Sequence, residues 1–164
     1  CPAQADRVAR APGTFVKTES EVNVFVDGVL NYFGTTVQQV AECGTPYLAL
    51  GSTPEISDYT GLIRISGKRD GVVFFTAPKS MLCVMLMRMQ ETDMSHENLC
   101  DLVGEIANTL SGNARRDFGH QFAISVPAVV HGRNSTVEYP PDARPIVIPI
   151  EWRTYHARLV VCLN

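Results

Sequence analysis

Three polar residues of different type recur at helical spacing near the middle of the chain: Asp101, Glu105 and Asn108, at i, i+4 and i+7. At roughly 100° per residue they fall within about 60° of arc on one side of a helix, and Gly112 continues the stripe one turn later. Leu99, Leu102, Val103, Ile106, Ala107, Leu110 and Ala114 fall on the other, broad side, which is the core face. A carboxamide such as Asn108 carries one acceptor and two donors. A carboxylate makes strong, charge-assisted contacts with a cationic partner. The same stripe also describes a solvated helix face. Two features weigh against that reading. Gly104 and Gly112 lie inside the helical pattern, where each costs about 1 kcal/mol against Ala, and glycine there marks close approach by another backbone in the core or in a partner. Asn108 is also a poor helix former for a surface position with no task.

Other chemistry is thinly represented. His96, His120, His131 and His156 form no metal-ligand spacing, and isolated histidines read as structural or surface residues. GxSxG, Walker A and GxGxxG patterns do not occur. The five cysteines, Cys1, Cys43, Cys83, Cys100 and Cys162, include no CxxC pair, so neither a zinc knuckle nor a thioredoxin-type site is written here. Met81, Met85 and Met89 make an i, i+4, i+8 stripe that reads as core. Trp152 reads as a core or dimer contact. Asn113 lies off the polar stripe and is expected to make a structural hydrogen bond.

The helix carrying the stripe is expected over His96 to Phe118. Around it, Val22, Phe25, Val26, Val29, Leu30 and Phe33 predict a first helix from Glu21 to Phe33, with Ser20 as N-cap and Gly34 as stop. Val37 to Ala41 reads as a short strand and Gly44 to Pro54 as turns. Tyr59 to Ser66 and Gly71 to Ala77 read as a hairpin across Gly67–Asp70. Pro78 suits the first turn of a helix running to Gln90. Later strands are expected at Phe122 to Val126, Ala128 to His131, Ile146 to Trp152 and Tyr155 to Leu163, with a Pro-rich loop from Gly132 to Pro145. Pro149 should lie at an edge or a bulge. Runs of each element type, rather than strict βα alternation, predict an α+β fold: an antiparallel β-sheet with helices packed on it, in a single domain. Residues 1–20, without period, read as a flexible N-terminal arm, and residues 21–164 as the domain.

Asp101-x-x-x-Glu105-x-x-Asn108 resembles the D/S-x-x-x-E-x-x-N signature of the CheC/CheX/FliY phosphatase family. The string from Val103 to Ala114 is similar to its CheX branch. So are the first helix near Glu21, the hairpin with Gly61 and Gly71, the helix opening at Pro78, Ile124-Ser125-Val126-Pro127, and the final strands. The first helix offers only Ser20-x-x-x-Val24-x-x-Asp27, without Glu or Asn, so the chain resembles the single-site members. Those are often homodimers, and the β-rich C-terminal part, whose edges need covering, fits the same expectation.

The resemblance implies a CheC-like fold and a substrate: the aspartyl phosphate of a CheY-like response-regulator receiver domain. Such a reaction needs an attacking water in line with the P–O bond, and positioning supplies most of the catalysis. By that resemblance Asn108 positions the water, and Glu105 docks to the receiver's active-site lysine. Asp101 and Gly112 are expected to contact the partner, with helix capping an alternative for Asp101. The resemblance implies no cofactor on this chain, with Mg²⁺ carried by the receiver. The competing reading is a non-catalytic receiver-binding adaptor in a chemotaxis or two-component signalling complex. A purely structural role in a larger assembly is a third.

Composition bounds these readings. With 164 residues, 45% hydrophobic and 19% charged, the chain fits one self-sufficient domain and no disordered class. A net charge of −3 gives no electrostatic footprint for nucleic acid. The longest apolar run, Gly71 to Pro78, falls far short of the roughly 18 residues of a membrane span. Scattered, odd-numbered cysteines predict a reducing, cytoplasmic setting. Asn134-Ser135-Thr136 then reads as a turn and not as a glycosylation site.

Overall fold

A computed structural model describes residues 19–164. The expected arm over residues 1–20 therefore lies outside the described residues except for Glu19 and Ser20. Both already belong to helix α1 (Glu19–Tyr32), so Ser20 is a helical residue and not a cap.

The elements that follow are β1 (Glu42–Cys43), β2 (Tyr47–Leu48), β3 (Tyr59–Gly67), β4 (Gly71–Ala77), α2 (Lys79–Arg88), α3 (His96–Phe118), β5 (Phe122–Ile124), β6 (Ala128–His131), β7 (Ile146–Trp152) and β8 (Tyr155–Leu163). The strands form one antiparallel sheet in the order β1-β7-β8-β4-β3-β5. β2 lies beside β1 along β7, and β6 beside β5 along β3.

Strand alternation divides the sheet between two cores. Val73 and Phe75 of β4 and Leu159 and Val161 of β8 face α1, α2 and α3 in the main core. Their neighbours Val72, Phe74, Val160 and Cys162 point to the other face. There Val137 and Ala143 of the long loop before β7 pack on them, together with Val147. That loop was expected only to interrupt the strands. It also seals the second face of the sheet, and both faces of β4 are therefore dry.

Three local differences from the sequence reading have physical causes. The strand expected over Val37 to Ala41 is absent. Phe33–Val37 instead forms a π-helical turn, because Phe33 and Val37 are both buried and continue the apolar face of α1 past Gly34. Gln38 ends it in a left-handed conformation at φ 57°. β5 stops at Ile124 instead of Val126. The Ser125 hydroxyl accepts the Arg64 N–H at 2.9 Å, taking the place of a strand carbonyl, and Pro127 has no N–H to continue the ladder. α2 ends at Arg88 and not at Gln90, which adopts φ 64°.

Pro149 lies in β7, which is not an edge strand, since β8 pairs with one side of it and β1 and β2 with the other, but it sits where that second side is broken. Its carbonyl accepts the Gly44 N–H at 2.9 Å, in the gap between the two-residue strands β1 and β2. A residue's N and O point the same way along a strand, so the missing donor faces that gap and no β7–β8 rung is lost.

Among the described residues, no disulfide links Cys43, Cys83, Cys100 and Cys162. No helix of the described residues is long and apolar enough to cross a membrane.

Candidate functional site

The helix that carries the polar stripe is the longest element among the described residues. The Ser95 hydroxyl caps α3 by accepting the Asn98 N–H at 3.2 Å, Glu97 lies in the first turn, and Arg115 and Arg116 lie in the last. These charges complement the helix dipole at both ends. Because the helix opens at His96, Asp101 sits within it and caps nothing.

Two glycines seat α3 on the sheet. A Cβ on Gly61 of β3 would lie 2.1 Å from the Val103 carbonyl oxygen and 2.9 Å from the Gly104 nitrogen. Helix and strand backbones therefore meet with no side chain between them. On the outer side, a Cβ on Gly104 would lie 3.3 Å from Pro127 Cβ and 3.5 Å from Val129 Cγ2. The close approach expected at Gly104 is thus present. At Gly112 the expectation of an approach within the chain fails, since nothing lies within 4 Å of a Cβ placed there.

All seven residues assigned to the core face of α3 are buried, while Asp101, Glu105 and Asn108 are exposed and Gly112 is half-buried. At 1.5 Å per residue the stripe from Asp101 to Asn108 is about 10 Å long. No hydrogen bond or ion pair among the described residues engages Asp101, Glu105 or Asn108, so their polar atoms face solvent uncommitted. Ser111, one turn beyond Ala107, is fully buried with its hydroxyl unpartnered among the described residues. Asn113 is half-buried, and the structural hydrogen bond expected of it does not form among the described residues.

The flanks of the stripe differ. On the Glu105 side stands Tyr32 of α1, only 4% exposed. Burial, and then the nearby Glu105 carboxylate, raise its phenol well above the ordinary tyrosine range, so it stays a neutral donor. On the Asp101 and Asn108 side lie Pro127 and Val129, with Val126 before them 83% exposed. An apolar shoulder therefore borders the polar stripe. Neither flank was legible in the sequence near α3: Tyr32 is some seventy residues away along the chain, and Val126 and Val129 read only as the end of one strand and part of the next.

Two of the histidines are not isolated. At the head of α3 the Tyr59 hydroxyl and His96 Nδ1 share a hydrogen bond of 2.9 Å. The His131 ring lies 4.7 Å from both the Tyr59 and the His96 rings, centroid to centroid. These contacts anchor the start of α3 to β3 and β6. Among the described residues, no three His, Cys, Asp or Glu side chains converge as metal ligands would. Met81 and Met85 are fully buried, and Trp152 is a core residue with its indole N–H unpartnered among the described residues.

Residues 59–151 match the family model described as chemotaxis phosphatase CheX. The span runs from β3 to β7 and contains α3 whole. Among solved structures, the chain is similar to a CheC-like superfamily protein from Shewanella sp. PV-4, at 27% identity and a TM-score of 0.78, over 90% of this chain and 99% of that one. It is also similar to chemotaxis protein CheX from Vibrio vulnificus, at 23% identity and a TM-score of 0.76, over 88% and 99%. A third is the CheX of Borrelia burgdorferi, in a complex with CheY, BeF3 and Mg²⁺, at 15% identity and a TM-score of 0.71, over 88% and 97%. No curated protein sequence matches.

Proposed function

This chain belongs to the chemotaxis phosphatase CheX family, and from that membership we propose that it hydrolyses the aspartyl phosphate of a CheY-like receiver domain, with α3 as the face that enters the receiver's active site. The observation that carries this reading is the open stripe. Two carboxylates and a carboxamide stand on one exposed helix face, with no partner of their own among the described residues. The helix beneath them is seated backbone to backbone on the sheet. The CheX–CheY complex of the Borrelia relative supports a receiver as the partner.

In the proposed reaction the water oxygen bonds to phosphorus as the bond from phosphorus to the aspartyl oxygen breaks. The products are a free carboxylate on the receiver and inorganic phosphate. The Asn108 carbonyl accepts a hydrogen bond from the water, and its NH₂ steadies a phosphoryl oxygen. Glu105 is unsuited to act as general base, because a second anion beside a phosphoryl group is unfavourable unless a cation intervenes. It docks to the receiver's lysine, which supplies that cation. Mg²⁺ belongs to the receiver in this reading, and this chain contributes no ligand to it. Pro127, Val129 and Val126 give the same face an apolar margin.

Glu105→Gln should therefore weaken receiver binding and the rate together. The loss in affinity is about tenfold, as expected for one charge-assisted contact of roughly 1.5 kcal/mol. Titration calorimetry against the receiver checks it, and unchanged affinity removes Glu105 from the docking contact. Gly112→Ala should separate stability from function. With open space around the new methyl, the helix gains up to about 1 kcal/mol, so the melting temperature rises. Receiver binding weakens if the partner approaches here. A variant that is both more stable and fully competent in binding takes Gly112 out of the interface.

The homodimer belongs to the same proposal. Tyr47, Leu48 and Leu50 are 50%, 45% and 67% exposed along the β1–β2 edge of the sheet, and a bare apolar edge needs cover. Light scattering at micromolar concentration should return twice the 18.0 kDa chain mass, and a monomeric mass rejects the dimer.

A further inference from the structure

A cleft of about 350 Å³ opens where the segment before β3, the start of α2, the loop after β6 and the β7–β8 turn meet. No part of α3 lines it. Its volume falls within the range of about 300–1,000 Å³ typical of small-molecule sites. Arg133, Arg158, His156 and Glu55 line it, with Glu151 3.6 Å from His156 and Asp58 2.8 Å from Arg133.

The position of Arg158 is unusual. It lies in β8, between Thr76 of β4 and Pro149 of β7 in register, on a central strand whose following residues, Leu159 to Leu163, are all buried. Its side chain nonetheless reaches the surface, 38% exposed, at the cleft. Its only described partner is Glu55, and that contact is loose. Arg158 donates to the Glu55 carbonyl at 3.3 Å and to its carboxylate at 3.4 Å, and the Glu55 side chain is 83% exposed. A well-formed Arg–carboxylate bond is shorter, at about 2.7–2.9 Å.

Arg133 is held more firmly, but by one nitrogen only. Its Nε donates to Asp58 at 2.8 Å, and Asp58 in turn accepts the Lys79 N–H at the start of α2. None of the described hydrogen bonds uses its two terminal nitrogens, and the side chain is 66% exposed. Ser57 and Tyr155 also line the cleft.

We propose that this cleft binds a small molecule bearing a phosphate or carboxylate group, whose acidic oxygens displace the Glu55 carboxylate and take the guanidinium donors of Arg158 and Arg133. Glu55 acts as an internal competitor that keeps Arg158 paired while the cleft is empty. The site is separate from the α3 stripe, and the inference does not rest on the phosphatase reading.

Isothermal titration of the full chain with inorganic phosphate and with succinate, against chloride at equal ionic strength, tests it. Saturable binding of phosphate alone assigns a phosphate-bearing ligand, and of succinate alone a carboxylate. Arg158→Gln should weaken that binding at least tenfold. Glu55→Gln, at an exposed position that should leave folding intact, should tighten it severalfold. Absence of saturable binding to both anions at millimolar concentration overturns the proposal. So does binding that Glu55→Gln fails to tighten, or that a folded Arg158→Gln variant retains in full.

Discussion

Asn108→Ala should lower the chain's acceleration of receiver dephosphorylation by about a hundredfold or more, the usual cost of deleting one preorganised hydrogen-bonding group from a site that works by positioning. Affinity for the receiver should change little, because the docking charge belongs to Glu105 and the bulk of the face remains. Folding should not confuse the result. Asn108 is exposed and bonded to nothing among the described residues, and Ala is the better helix former by about 0.5 kcal/mol. Asn108→Asp sharpens the test. It keeps the shape and an acceptor, but replaces the NH₂ with a charge that repels the phosphoryl oxygens, so it should be as slow as the Ala variant. Phosphate release measured at substoichiometric protein decides the matter. If either variant turns over phospho-receiver at the wild-type rate, Asn108 does not position the water; if the parent chain itself gives no acceleration, the adaptor reading replaces the phosphatase.

Why this stripe could be found from sequence, while its surroundings could not, follows from how each is encoded. α3 is written locally. Its apolar residues repeat with the helical period, and the expected bounds His96–Phe118 are the observed ones. The β3–β4 hairpin and the last two strands are local in the same sense. The environment of the stripe depends instead on contacts between distant segments. Tyr32 reaches Glu105 only because α1 packs along α3. His131 meets His96 only because β6 pairs with β3. The loop that supplies Val137 and Ala143 looks polar and Pro-rich, yet it seals a face of the sheet. The strand expected at Val37, and absent, is a different case. Phe33 and Val37 fit either period over so short a run, and burial against the core selected the helical one.

The other large effect is expected where the two kinds of encoding meet, at Gly61. In the sequence this glycine interrupts a β-rich strand, which says only that something comes close. In the fold the neighbour is the α3 backbone itself, with the Val103 carbonyl oxygen 2.1 Å from where a Cβ would stand. Neither partner is a side chain that can rotate away. Gly61→Ala must therefore lift the helix or bend the strand, breaking packing along the length of the contact. The cost should reach about 3 kcal/mol, the upper range for overpacking a tight interior. A chemical denaturation midpoint should fall accordingly, with the slope unchanged. Gly104→Ala is the matched control. Its Cβ meets Pro127 and Val129 side chains at 3.3 and 3.5 Å. These are tight contacts with groups at an exposed margin that can shift, and the gain in helix propensity of up to about 1 kcal/mol works against them. It should stay within about 1 kcal/mol of the parent, the range of a mild substitution. Receiver dephosphorylation should fall in any Gly61→Ala protein that still folds, since α3 carries Glu105 and Asn108 wherever it moves. A Gly61→Ala variant as stable and as active as the parent means that α3 does not sit backbone to backbone on β3, and the site's rigid foundation must then be sought elsewhere.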